Sequence, residues 1–563
     1  MARTGDPALG SIAAPAALLG MALLAMVVHL HQGRPTAGIA QAVLAASRGG
    51  ASALLGGWLP HPAEAAAALA AGALLCLSAV IKLRGRVLLG SGALGRARRA
   101  GGRDLRALRR GGPLRRPKAG RSDATTEPRV RLGDHHRRAL WLPADEHLLA
   151  LGPTGSGKSS ALAIPALLEW PGPVVVTDPK GELVRTTLSH RLTLGSAAVF
   201  APLMEPTARW NPVASIRSSE DALRVATFLM GRAPEREPFW HDLARQLLHG
   251  LLVEAANLQL APGGVLEMLQ AIPAEELPEA VRHPVARRLV QGALSGGDRT
   301  SMGVVATLVS QLGAYGSDQV AAATSTSDFD PAGIAGGDLK TLYCVVAPHD
   351  APLLRGLISA LISCCWRSLF ASPPSPPALF VLDEFTQLTN LPELPALVQL
   401  GRSQGVRVML MAQDLGSISA AYGSEAAGAL WSNCRTKLLL PGISEVELLE
   451  RVSKLAGNST LHRLSDAWTS EPVSSQPLLH PDDVRRLKSR QALVLHGGDQ
   501  PAVIDQHRWF SDRGLKETVA AAGTPANAPT PAPGRPLRDW VDPDPGWAPN
   551  PYPLRWNPAD VEP

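Results

Sequence analysis

Residues 152–159 read GPTGSGKS and satisfy the spacing G-x-x-x-x-G-K-[ST]. Glycines at this spacing let a loop wrap its backbone N–H groups around phosphate oxygens, and a helix starting there adds its positive end. In that chemistry Lys158 reaches the β- and γ-phosphates and the Ser159 hydroxyl ligates Mg2+. Gly152, Thr154, Gly155, Ser156, Gly157 and Ser160 complete the set expected against a bound nucleotide. A second piece of chemistry lies far downstream in ALFVLDEF, residues 378–385. There Asp383 can hold the shell of the Mg2+ ion and Glu384 can polarise an attacking water, so the pair predicts hydrolysis and not binding alone.

Gln413 closes the run VRVMLMAQ and offers a strand-end amide that could sense a γ-phosphate or position the lytic water. Arg402, in QLGRSQGVRV, lies on a glycine-flanked turn before the same run. In a ring it could reach a neighbour's γ-phosphate as an arginine finger; taken alone, one arginine among 46 reads as a surface charge. Asp178 and Lys180, in DPKGEL, leave a strand where α/β sheets place their sites, and a capped turn before a helix accounts for them equally well. The five cysteines show no metal-ligand spacing. Cys364 and Cys365 sit in the apolar run LLRGLISALISCCW, which predicts buried neutral thiols, and the lack of a disulfide framework points to a reducing compartment.

These residues need elements to hold them. Short apolar runs without polar alternation occur at 147–151, 173–177, 197–201, 341–347, 378–383, 406–412, 436–441 and 492–497. Such runs predict strands of a parallel sheet buried on both faces by helices, a doubly wound α/β core. Between the third and fourth runs, residues 213–325 hold no convincing strand. Trp240, Ala244, Leu247, Leu248 and Leu251 recur there at helical spacing, which predicts an inserted all-α domain. From about residue 519 to 563 the chain turns proline-rich, the composition of a disordered tail.

The N-terminal part has another character. Residues 11–28 and 65–81 carry no charge and are long enough to cross a bilayer, which predicts a two-helix membrane anchor within 1–85. Residues 82–121 hold 14 Lys or Arg against the single acid Asp104. By the positive-inside rule that side is cytoplasmic, leaving about 35 residues outside between the spans. The chain's net charge is +6 and this segment alone contributes +13, so the remainder stands at −7. The basic balance therefore belongs to a belt facing anionic lipid and carries no argument for nucleic-acid binding by the body.

The constellation resembles the type IV secretion coupling proteins, the VirD4/TraG-like conjugative ATPases. The resemblance rests on the two spans, GPTGSGKSS, VVVTDPKGEL, WNP at 210–212, FWHDLARQLLHGLL, TSTSDFDP, the run from LDEF to AQDL, and LWSNCRTKLLLPGISEVE, covering roughly residues 1–500. It implies a RecA-like P-loop NTPase core over 126–212 and 326–518, the inserted domain over 213–325 as a substrate-recognition module, and a basic linker over 86–125. It also implies a homo-hexameric ring at the inner (plasma) membrane, with ATP and Mg2+ as cofactors. Its partners would be a relaxase with single-stranded DNA, or protein cargo, and the components of a secretion channel. Matched position by position, Lys158 and Ser159 fall on the family's Walker A motif and Asp383 and Glu384 on its Walker B. Gln413 falls on the glutamine motif and Arg402 on the arginine finger. A body of net negative charge confines any DNA contact to a local pore feature. Two alternatives stay open: a septal or chromosomal DNA translocase, and a receptor or adaptor that docks protein substrates without hydrolysis.

Overall fold

The computed structural model describes residues 98, 100, 104–109, 128–233, 238–461, 474–523 and 530–531. The two apolar segments at 11–28 and 65–81, most of the basic run, Cys76 and most of the proline-rich tail lie outside them.

All eight apolar runs form strands. In chain order the strands are β1 (Arg131–His135), β2 (Arg138–Trp141), β3 (Leu148–Leu151), β4 (Val174–Asp178), β5 (Ala197–Phe200), β6 (Met204–Glu205), β7 (Thr341–Val345) and β8 (Ala378–Asp383). They continue with β9 (Val406–Ala412), β10 (Thr436–Leu439), β11 (Asn458–Leu461), β12 (Ser474–Pro477), β13 (Gln491–His496), β14 (Ala502–Asp505) and β15 (Thr530–Pro531). Eleven of these make one sheet in the order β2-β1-β14-β13-β10-β3-β9-β8-β4-β7-β5.

From β10 to β5 every neighbouring pair is parallel. The sequence predicts a wholly parallel sheet, and here the structure differs. β13 runs antiparallel to β10, and β14, β1 and β2 extend the sheet by further antiparallel pairings. The reason is local. β13 and β14 are joined by the five residues 497–501, too few for the crossover that a parallel pair requires.

The central strands lack alternation because both faces are covered, and successive residues feed two separate cores. Leu149, Leu151, Val175, Phe380, Leu382, Val408 and Leu410 belong to one. Leu148, Ala150, Val174, Val176, Leu379, Val381, Met409 and Met411 belong to the other. The second core is closed by α1 (Ile164–Glu169), which continues a π-type turn at Ser159–Ala163, and by α2 (Glu182–Leu194). The first is closed by helices from the long connection between β6 and β7.

Among the described residues of that connection there are helices and no strand. The principal ones are α3 (Ser219–Met230), α4 (Pro238–Asn257), α5 (Pro262–Ala271), α6 (Pro284–Ala293) and α7 (Asp298–Leu312). Ala244, Leu247, Leu248 and Leu251 of α4 are fully buried, as their spacing predicts, and join the same core as that face of the sheet. Gly250 lets α4 and α6 cross closely: a Cβ there would stand 2.9 Å from Val290 and 3.0 Å from the Ala286 carbonyl. Glu254, buried in α4, accepts the backbone N–H groups of Arg282 and His283 at the start of α6.

One described helix, α8 (Ala351–Ala371), is long and apolar enough to cross a membrane. Its Leu354, Leu357, Ile358, Leu361, Ile362 and Cys365 are all buried in the first core, so it is a core helix. The chain divides into residues 97–457 with 477–563, and residues 1–96 with 458–476. The described part of the second unit belongs to a two-stranded ribbon of β11 and β12. The tail expectation needs one correction. Helix α9 (Arg513–Ala522) runs past residue 519, and β15 pairs antiparallel with β6, Thr530 opposite Glu205.

Candidate active site

In a parallel sheet all C-terminal strand ends share one edge, and the crevice there collects the loops. β3 runs into the glycine-rich loop, β8 into Asp383–Glu384, and β9 lies between them. The Gly152 N–H donates to the Ala412 carbonyl at 3.2 Å, which pins the loop's first residue to the end of β9. Gly155 and Gly157 have φ of +80° and +108°, conformations in which an L side chain is strained, and they turn the backbone around the cavity.

The cavity measures about 150 Å3. Thr154, Gly155, Gly157, Lys158, Ser159 and Ser160 line it on one side, Asp383 and Glu384 on another, and Lys180 and Glu182 on a third. The Ser159 hydroxyl donates to Asp383 Oδ2 at 3.3 Å, joining two motifs that stand 224 residues apart in the chain. Lys158 Nζ folds back onto the Gly152 carbonyl, lies 3.4 Å from the Pro153 carbonyl, and pairs with Glu384 Oε1 at 3.3 Å. Thr177 in β4 donates its hydroxyl to the Asp383 carbonyl at 2.8 Å and fixes the end of β8.

Glu384 sits in the left-handed region at φ +47°, an unfavourable conformation for a non-glycine residue and one that aims its carboxylate off the strand end. Burial, and then the charge of Glu384 beside it, push the Asp383 carboxyl up to about 7. Asp383 Oδ1, Glu384 Oε2 and Ser156 Oγ are buried with no hydrogen-bond partner. Orphaned buried oxygens are costly unless something binds there. The two carboxylates and the Ser159 hydroxyl, all lining the cavity, are hard donors that suit Mg2+, and Ser159 with Asp383 could hold it. The lysines and the loop N–H groups suit phosphate oxygens.

The other candidates fall as follows. Gly152 and Ser156 shape the loop without lining the cavity. Gln413 is half-buried just past the end of β9, beside the loop but not among the lining residues. Arg402 is elsewhere: its turn, Gly401–Gln404, enters β9 at the N-terminal end, so the seven residues of the strand separate it from the cavity by roughly 23 Å. Its side chain is 65% exposed and paired with the Asp145 carboxylate. Asp178 accepts the backbone N–H groups of Lys180 and Val184, which makes it a turn and cap residue, whereas Lys180 faces the cavity. Cys344, Cys364, Cys365 and Cys434 are free, with thiols pushed up by burial and held neutral.

One contributor carries no sequence signal. Gln506, just past β14, donates its carboxamide to the Ser156 carbonyl at 3.0 Å. A lone glutamine in a loop 350 residues from its partner belongs to no pattern.

Comparison with known proteins follows the geometry. A family model described as Type IV secretory system Conjugative DNA transfer matches residues 115–532. Protein VirD4 of Rhizobium rhizogenes is 28% identical over 405 residues, covering 66% of this chain and 59% of its own length. The chain thus spans about three fifths of that relative. Among solved structures, the unbound bacterial conjugative coupling protein TrwBdeltaN70 superposes with a TM-score of 0.56 at 21% identity, over 65% of this chain and 88% of that one. The plasmid coupling protein TrwB in complex with ADP and Mg2+ gives 0.51 at 21% identity, over 65% and 87%. These likenesses show the fold, an α/β core built on a mixed sheet with parallel central strands.

Proposed function

Because this chain belongs to the type IV secretory system conjugative DNA transfer family, we propose that it is a membrane-anchored ATPase that couples cargo to a type IV secretion channel. The cargo is single-stranded DNA carried by a relaxase, or protein. The observation that carries the reading is the meeting of Lys158, Ser159, Asp383 and Glu384 around one cavity with orphaned buried oxygens.

The loop N–H groups and Lys158 bind the triphosphate, and Lys158 exchanges its contact with Glu384 for the phosphates as it does so. Freed, Glu384 takes the proton of the attacking water. Ser159 and Asp383 would hold Mg2+, which when bound would neutralise charge on the phosphate oxygens. Gln413 lies close enough to the loop to report the γ-phosphate to the strand it ends. Arg402, remote from its own cavity, serves the next copy in a ring, for which a homo-hexamer is proposed. The helices over 213–325 read cargo. The segments at 11–28 and 65–81 anchor the chain in the inner membrane, the core over 126–212 and 326–518 faces the cytoplasm, and 86–125 and 519–563 act as linker and tail.

The test is Glu384→Gln. ATP should still bind, hydrolysis should fall by about two to four orders of magnitude, and transfer from donor cells should stop. Transfer that continues at the parental rate would leave a docking receptor as the better description, and Lys158→Ala, which removes binding as well, gives the baseline.

A further inference from the structure

We propose that Gln506 is the positioning residue of the phosphate loop, holding the Ser156–Gly157 peptide so that the Gly157 N–H points into the cavity. This deepens the function proposed above and rests on it. Gln506 leaves β14 on the antiparallel side of β3, away from the acidic pair. Its Nε2 donates to the Ser156 carbonyl and to the Gln491 carbonyl in β13, both at 3.0 Å, which uses both amide hydrogens. Its Oε1 accepts from Arg508 Nε and Nη2, each at 3.3 Å, and Arg508 Nη2 in turn donates to the Ser489 carbonyl at 2.7 Å. The carboxamide therefore has one orientation, and exchanging its oxygen and nitrogen would set it against two carbonyls.

A trans peptide points its C=O and N–H in opposite directions. A donor fixed behind the loop on the Ser156 carbonyl therefore turns the N–H of the next residue to the far side. Gly157 is that residue, and it lines the cavity while Gln506 does not. Glycine at 157 now has two reasons: its φ of +108°, and the position of Gln506 Oε1, into which a Cβ would collide. The antiparallel strands that the parallel core does not need thus act on the nucleotide site. They are the anvil against which the loop is set, and occupancy of the loop is coupled to residues 489–508.

The test uses the full chain and MgATP, read by titration of a fluorescent ATP analogue and by steady-state hydrolysis. Gln506→Ala removes the donor, and Gln506→Glu keeps the length but faces two carbonyls with a carboxylate. A single loop hydrogen bond lost in both the ground and transition states raises KM and leaves kcat nearly unchanged. We expect Kd and KM to rise roughly five- to tenfold for Ala and further for Glu, with kcat nearly unchanged. Variants that bind MgATP within about twofold of the wild type, which itself binds, overturn the assignment and leave the ATPase reading intact. A wild-type chain that binds no MgATP overturns both. If the variants fail to fold, hydrogen exchange of the wild type decides: MgATP should protect residues 489–508 together with 152–160, and protection of the loop alone overturns the proposal.

Discussion

His147 stands at the end of β3 away from the glycine-rich loop, against the turn that carries Arg402. Its ring is 4% exposed, its Nδ1 accepts the Val408 N–H at 3.1 Å, and its Nε2 has no partner. Burial first, then the neighbouring Arg407 guanidinium, push its pKa down to about 4; Arg402 adds a smaller push the same way, and Glu146 and Asp145 oppose it. The unfolded imidazole, near 6.5, takes up its proton first as pH falls. Stability from this residue is thus complete above pH 6.5 and is lost as pH drops toward 4, by up to about 3 kcal/mol. His147→Asn keeps an acceptor for Val408 and removes the titration. Between pH 7 and 4.5 the wild type should lose more thermal stability than this variant, and parallel losses would show that the histidine is not the group responsible.

At the scale of elements, a helix is tied to the sheet by a buried charge that has no carboxylate partner among the described residues. Arg191 of α2 is fully buried, and its Nε donates to the Thr341 hydroxyl at 2.9 Å. Nη1 donates to the Trp170 carbonyl and Nη2 to the Gly172 carbonyl at 2.8 Å. Arg191→Met fills the space but leaves two carbonyls and a hydroxyl without their donor. At about 1–3 kcal/mol for each buried unsatisfied group, we expect a loss of roughly 3 kcal/mol or more, measured as a lower urea midpoint at unchanged slope. The same scale marks what was legible beforehand. ALFVLD and VRVMLMA are buried along their whole length, so composition alone identified them and almost all their bounds. RLGDH, RALW and AVID are short and mixed, and they form strands only because β13 offers an open edge. An apolar run also has no direction, which is why ALVLHG was legible as a strand but not as an antiparallel one. At the site, the glycine loop and the acidic pair declare their chemistry in residue type and spacing. Gln506 works through a backbone carbonyl, which any sequence supplies, and nothing in the chain announces it.

At the scale of the whole molecule the geometry separates the two halves of the proposed reaction. The cavity opens at the C-terminal end of β9 and Arg402 stands at the other end of that strand, so no side-chain movement brings this guanidinium to its own phosphates. The turn that carries it is held firmly: the Arg402 carbonyl accepts from buried Arg407 at 3.3 Å, and Gly401 lies against His147. A rigid turn with an exposed arginine suits delivery to a second copy, and heterologous contacts of that kind close into rings. Arg402→Ala and Lys158→Ala chains should each be nearly inactive alone, the former by the three to five orders of magnitude that a lost finger costs. Mixed in equal amounts, an Arg402→Ala copy supplies an intact loop and a Lys158→Ala copy supplies the arginine. Random ring assembly then leaves about a quarter of the contacts whole, and ATP hydrolysis should return to a comparable share of the wild-type rate. A mixture as inactive as its components would place the arginine's work outside catalysis, because a surface charge paired with Asp145 has nothing to contribute across the contact. Recovery has no explanation within a single copy, since neither variant alone holds both the loop lysine and the arginine.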